Sequence, residues 1–485
     1  MTRHERSGSI GILGVLGVLV GLGWAPAARA ADAPAGSIDV EEAVRVALRQ
    51  NPDFRRAVAT VGAYEGARLD ALAGILPGAS GSYAYSKSHS TTTLKGLDLQ
   101  ILVNDTYPNG TVVRRGDLPL DSDSHDTGFG VTLREDIGFS SWYRYRSAQA
   151  DVQGARYSRE DAAQQLAYSV REQFYLVLRA QDLLTVQQED LRLARDEERR
   201  INSMFELGSV ARVDVLKSRV RVSDAEVALI RQQNAVDIEK SRLATLLGYT
   251  PDTRLQLAGD LQAAGAPVDS TSAADEAETR PDLMAAREAV RSANNLYRSA
   301  ALSRVPSLFA SFDVNTSTGG SERDNVTRQT FPETPGAGDT TLVLYDFPVS
   351  SDSDFDGWTF RVGATVSLDA FLNMGQHKRA RSNLKQQQYQ LATRELAAQQ
   401  ELEEAILNYR ASVSAIQAAD RGVESAEEDL RLSEERYQQG LGTVLELLES
   451  QVNLTKARNS RVNALTGLKI SEAALDRARG APVPY

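Results

Sequence analysis

The sequence predicts a mainly α-helical chain with β-strands of membrane-barrel type, arranged as two tandem helix–strand–strand–helix–helix repeats. Three observations predict it. Landmark residues recur in order at a near-constant spacing, apolar residues fall seven apart through the longest predicted helices, and the predicted strands alternate apolar with polar side chains.

The chain is written twice. Asn51-Pro52-Asp53 returns as Arg280-Pro281-Asp282 and Pro77 as Pro306, both at a spacing of 229. Gly128, Leu133, Arg144 and Arg146 return as Gly363, Leu368, Arg379 and Arg381 at 235. Phe205, Gly208, Asp214, Ser218, Val220 and Gly248 return as Tyr437, Gly440, Glu446, Ser450, Val452 and Gly480 at 232. Prolines, strands and glycines that keep their order with so little drift point to duplication.

Taken in chain order, residues 1–30 predict a secretory signal peptide. Arg3 and Arg6 precede an apolar run from Ile10 to Trp24, and Ala28-Arg29-Ala30 forms a small-x-small cleavage site. The first repeat, 31–249, opens with a helix over about 39–73. It continues with strands near 79–87 and 126–137 around an external loop at 87–125, and closes with two long helices whose hairpin tip lies near Gly208. Residues 250–274 form a linker rich in Pro, Gly, Ala and acidic residues, with little regular structure. The second repeat, 275–485, has a helix to about 303, strands near 308–316 and 358–369, an external loop at 317–357, and a hairpin tip near Gly440.

The strands alternate. Trp358, Phe360, Val362, Ala364, Val366 and Leu368 oppose Thr359, Arg361, Gly363, Thr365 and Ser367. A period of two with one apolar face suits a membrane barrel with a wet lumen, and equally a half-buried antiparallel sheet. The helices carry the stronger signal. Val215, Val222, Leu229, Val236 and Leu243 are seven apart, and adding 232 gives Leu447, Leu454, Arg461, Leu468 and Leu475. Leu166, Val170, Phe174, Val177, Leu184 and Leu191 keep a spacing near 3.5 in the preceding helix. Such runs predict coiled-coil packing. The span from Arg144 to Phe205 predicts a rod of about 90 Å at 1.5 Å per residue.

Composition removes several classes of function. With no cysteine there is neither disulfide nor thiolate chemistry. The formal charge of −11 includes +2 from the signal peptide, so the mature chain is near −13 and ill-suited to nucleic acid. His4, His89, His125 and His377 are scattered, without an HExxH motif, a nucleophile elbow or a phosphate loop. The spaced acids Asp346, Asp352, Asp354 and Asp356 do not form an EF-hand loop with its closing Glu. No catalytic, cofactor or metal residues are expected, and the chain reads as a non-enzyme. Four strands cannot close a barrel, since the smallest use about eight, so copies must share their strands. The strand and helix patterns alone leave the number of copies open. A periplasmic coiled-coil structural or adaptor protein without a barrel is the alternative.

Three stretches then carry a resemblance. Ile38-x-x-Glu41-Glu42-Ala43-Val44-x-x-Ala47-Leu48-x-x-Asn51-Pro52 resembles the opening signature of the TolC-type outer-membrane efflux family. Phe205–Val215 and Tyr437–Glu449 resemble its two helix-hairpin turns. The resemblance implies a homotrimer with a 12-stranded barrel in the outer-membrane lipid of a Gram-negative cell, continued by an α-helical tunnel into the periplasm. It also implies docking to a periplasmic adaptor and an inner-membrane transporter, as the passive duct of a tripartite efflux pump or type I secretion system.

By the same resemblance, Glu446 and Glu449 would ring the periplasmic aperture. Three residues apart, they share a helix face. Asp214 and Tyr437 would restrain the closed gate. Leu207, Gly208 and Ser209, with Gln439, Gly440 and Leu441, would form the adaptor-docking tips. Gly442 stands where the family has an arginine that adds to the restraint, so the closed state is expected to be looser or held differently.

Overall fold

The computed structural model describes residues 37–97, 116–261, 279–324, 349–366 and 374–483. The signal peptide, the loop segments 98–115 and 325–348, the linker residues 262–274 and the predicted strand end 367–369 lie outside the described residues. Among the described residues, eleven elements follow one another. The first repeat holds α1 (Val40–Gln50), α2 (Pro52–Ala73), β1 (Gly78–Leu97), β2 (Gly116–Ile137), α3 (Phe139–Glu206) and α4 (Arg212–Leu247). The second holds α5 (Pro281–Leu302), β3 (Ser307–Asp324), β4 (Val349–Thr365), α6 (Met374–Gln438) and α7 (Val444–Arg479).

The predicted first helix is two helices, because Pro52 forces its predecessor out of helical conformation. Asn51, at ψ 124°, ends α1 and caps α2 by accepting from the amides of Asp53 and Phe54. Its Nδ2 donates to the carbonyl of Leu246 at the end of α4. The second repeat makes the same junction with different chemistry: Arg280 reaches the carbonyl of Ala478 and pairs with Asp282 and Glu401. In each case a glycine with positive φ ends the arriving helix, Gly248 (φ 85°) and Gly480 (φ 76°). A Cβ on Gly248 would stand 2.9 Å from the backbone of Gln50. Thus α4 stacks end-on beneath α2, and α7 beneath α5. Both stacks run beside α3, which touches all four helices.

The heptads predicted from sequence face the contacts they were expected to make. Val215, Val236 and Leu243 are buried, with Val222 and Leu229 packed against Leu191, Ala194 and Ala225. Leu447, Leu454, Leu468 and Leu475 are buried in the second repeat, while Arg461 turns outward to Asp420. The largest core lies midway along the rod, where Val44, Val170, Phe174, Leu243, Leu247, Leu468 and Leu475 meet.

Two boundaries differ from expectation. The expected loops 87–125 and 317–357 are strand at both ends, since β1 runs to Leu97, β2 starts at Gly116, β3 runs to Asp324 and β4 starts at Val349. These extensions escape an apolar-alternation reading because they are rich in Ser, Thr, Asp and Gly. Backbone pairing needs no apolar side chain, and cross-strand pairs such as Ser88–Ser124, His89–Asp123 and Ser321–Ser351 line the ladder. The inter-repeat segment is irregular over 250–261, yet it is not a loose tether. Leu255 and Leu261 are buried, and Leu257 bridges to Ile38 in parallel.

The four strands form one antiparallel sheet in the order β1-β2-β3-β4. Its register puts Gly81, Val131, Val314 and Trp358 in one row and Ala79, Leu133, Phe312 and Phe360 in the next. That face is exposed, Trp358 to 70 % and Val362 to 69 %; Glu135, near the helical end, interrupts it. The opposite face is polar: Thr132 donates to Asp313 at 2.9 Å and Arg361 donates to the same carboxylate at 2.8 Å. β1 and β4 have no partner on their outer edges among the described residues.

Candidate functional site

The site is the end of the rod farthest from the sheet, where both hairpins turn. Each turn is made the same way. After α3, the Gly208 amide donates to Phe205 O and the Ser209 amide to Met204 O; after α6, the Gly440 amide donates to Tyr437 O and the Leu441 amide to Arg436 O. This paired pattern closes a helix over a left-handed residue, and the glycines adopt φ 76° and 73°. A Cβ would meet nothing at either glycine, so backbone conformation rather than crowding calls for glycine. The tips are bare: Leu207 is 81 % exposed and Leu441 68 %.

Beneath the tips, one apolar cluster joins the hairpins. It contains Ile201 of α3, Val215 of α4, Leu430 and Tyr437 of α6, and Val444, Leu447, Leu448 and Leu454 of α7. The Tyr437 hydroxyl donates to the Met204 sulfur at 3.5 Å within the same copy. Burial pushes the phenol above its ordinary value, and the charges of Glu197 and Asp214 add to that. Asp214 is therefore brought near Tyr437 as a charge, while its carboxylate stands 4.0 Å from Lys217.

Glu446 and Glu449 are both exposed on the first turns of α7. The Glu446 amide donates to Thr443 Oγ1 at 3.2 Å, the N-cap half of a Thr-x-x-Glu capping arrangement visible in the sequence. The Glu446 carboxylate lies 3.9 Å from Arg436, which also donates to Leu441 O. A Cβ on Gly442 would come within 3.3 Å of the Tyr437 amide and 3.4 Å of the Glu446 carboxylate. In this turn the cation beside the Glu446 carboxylate is Arg436.

Two groups escaped the sequence reading. Glu197 sits in a run of charged residues on α3 yet is buried. Asp190, also buried, receives Arg221 of α4 at 2.5 Å and Thr455 of α7 at 2.6 Å, tying three helices together. Neither has a local signal. Both lie in segments dense with Arg and Glu, where most neighbours are solvated.

A sequence model described as outer membrane efflux protein matches residues 43–249 and 259–481. The chain is 26 % identical over 428 residues to nodulation protein T of Rhizobium leguminosarum bv. trifolii, covering 87 % of this chain and 81 % of that one. It is 25 % identical over 387 residues to the outer membrane protein TolC of Escherichia coli (strain K12), covering 77 % and 72 %. Among solved structures, the CmeC outer membrane channel of Campylobacter jejuni superposes with a TM-score of 0.70 at 16 % identity, over 92 % of this chain and 86 % of that one.

Proposed function

The chain belongs to the outer membrane efflux protein family, and from that premise we propose that three copies form a duct leading from the periplasm through the outer membrane. The copies supply four strands each to a 12-stranded barrel, with the apolar face toward lipid and the Thr132–Asp313–Arg361 face toward a wet lumen. The observation that carries this reading is the sheet with two open edges. In hydrocarbon, unpaired backbone groups cost several kcal/mol each, and pairing β1 of one copy with β4 of the next removes the edges. No described helix is long and apolar enough to cross a membrane, so the strands are left to do it.

The helices support the same assembly. Val213, Leu216, Val220, Val227 and Ile230 form an exposed stripe on α4, separate from the buried heptad. Its spacing suits packing against a helix of a neighbouring copy. On β2 the exposed apolar face runs from Phe129 to Ile137, interrupted at Glu135, about 26 Å along the strand at roughly 3.3 Å per residue, close to the length of about 9–11 residues that a tilted membrane strand needs. The polar strand halves beyond it extend the barrel outside the lipid.

Residues 1–30 direct secretion. The bare tips around Gly208 and Gly440 dock a periplasmic adaptor, which connects the duct to an inner-membrane transporter of a tripartite pump or type I secretion system. Glu446 and Glu449, repeated three times, gather six carboxylates at the aperture and favour cations there. A barrel-free periplasmic rod would have no use for a sheet with one exposed apolar face.

The test is detergent-dependent extraction with outer-membrane fractions, followed by single-channel recording in planar bilayers. Glu446→Ala with Glu449→Ala is expected to weaken block by multivalent cations severalfold. A water-soluble monomer without pores would overturn the duct, and block equal to the parent's would remove the carboxylate ring.

A further inference from the structure

One carboxylate sits where the two hairpins meet and lacks the partners a buried charge requires. The Glu197 side chain is 2 % exposed, with Oε2 3.4 Å from Nη1 of the partly exposed Arg200. Its Oε1 has no hydrogen-bond partner. One turn on, Ile201 is sealed into the cluster with Leu430 and Tyr437 of α6 and Leu447 of α7. The charges acting there are Arg200 on α3 and Glu434 on α6. Asp214 of α4, paired with Lys217, acts on the adjoining Tyr437. From α7 come the uncharged Leu447, Leu448 and Gln451.

Gln451 sharpens the point. It is buried, and its Oε1 also has no partner. The Asp190–Thr455 contact sets the register of antiparallel α3 and α7. Four residues toward the tip, Gln451 comes level with Ala194, and Glu197 lies about 4.5 Å further along the axis. Arg200 Nη1, itself without a hydrogen bond, faces Oε2, but the buried oxygens of Glu197 and Gln451 that lack a hydrogen bond are costly, and a proton on Glu197 supplies one donor. The repeat itself does not demand this burial. At the spacing of 232, the counterpart of Glu197 is Asp429, which is exposed.

We propose that Glu197 is a proton-binding latch between the hairpins at the duct's entrance: neutral, it holds the tips closed, and ionised, it loosens them. This rests on reading the tips as the entrance. Burial pushes the Glu197 carboxyl above the usual range, so the closed tip binds its proton more tightly than an opened, hydrated one. Closure is therefore fully favoured in acid and is lost as pH rises through the closed-state value. The open-to-closed ratio can change by about tenfold for each unit by which the carboxyl's pKa differs between the two forms.

The experiment records the purified full-length protein in planar bilayers from pH 5 to 8. It uses an E446Q/E449Q background, so that the aperture carboxylates do not contribute. The parent is expected to open as pH rises, while E197Q stays at the acid level throughout. An E197Q variant that follows the parent, or a parent indifferent to pH, overturns the latch. Thermal midpoints give a readout that needs no pore: E197Q should melt above the parent at pH 8 and with it at pH 4, below the ordinary glutamate range, and a gap equal at both pH values counts against the proposal. Y437F run in parallel separates the two readings. If E197Q is flat and Y437F stays closed, the tyrosine restraint fails and the latch stands; if Y437F opens and E197Q follows the parent, the latch alone fails.

Discussion

Tyr437 shows how one side chain can hold two roles. Its ring fills the apolar cluster that joins the hairpins, and its hydroxyl finds the Met204 sulfur. The proposed gate restraint would add a bond from the same hydroxyl to Asp214, a charged acceptor, worth about 1.5–3 kcal/mol. Tyr437→Phe keeps the ring and removes only the hydroxyl. The expected outcome is a resting conductance severalfold above the parent's with an unchanged melting temperature. Equal conductance would mean that Tyr437 serves packing alone. The first turn of α7 is constrained from behind as well. Glu446 follows a Thr443 cap, so its backbone is held while its carboxylate stays in solvent.

At the scale of elements, the four glycine-closed helix ends divide the labour. Gly208 and Gly440 turn in open space, whereas Gly248 turns against Gln50 at the α1–α2 junction and Gly480 against Arg280 at the start of α5. The first pair leaves surfaces to be touched, and the second pair stacks α4 under α2 and α7 under α5. Between these levels, Asp190 fastens α3 to α4 and α7 through Arg221 and Thr455, with Arg221 itself 14 % exposed. Removing one partner of a buried pair strands the other, at about 3–5 kcal/mol. Asp190→Ala should therefore lower the thermal midpoint well beyond what the same change does at the exposed Asp420. Adding Arg221→Met should recover part of the loss. Matching midpoints for Asp190→Ala and the parent would show that the pair is not a fastener.

For the whole molecule, the described residues form packed helices and a sheet whose outer edges, on β1 and β4, have no partner among those residues. The chain has no cysteine, so a Cys placed on each outer edge, one in β1 and one in β4, reports only on engineered contacts. Oxidation should yield covalent ladders ending at three chains. Ladders ending at another number would replace the trimer, and internal bonds alone would show that the sheet closes on itself.

The sequence by itself determined the duplication, the heptad rods, the glycine tips and the alternation in the membrane-proximal strands. All of these are periodic, and periodicity survives in one dimension. The tertiary structure alone decided the rest. It showed that the strands continue through Ser- and Asp-rich stretches, that part of the inter-repeat segment is core, and that Glu197 is buried while Asp429 is not. The physical reason is common to all three. Backbone pairing and burial depend on what lies across the gap, and a charge in a run of charges looks solvated until the helix opposite it is in place.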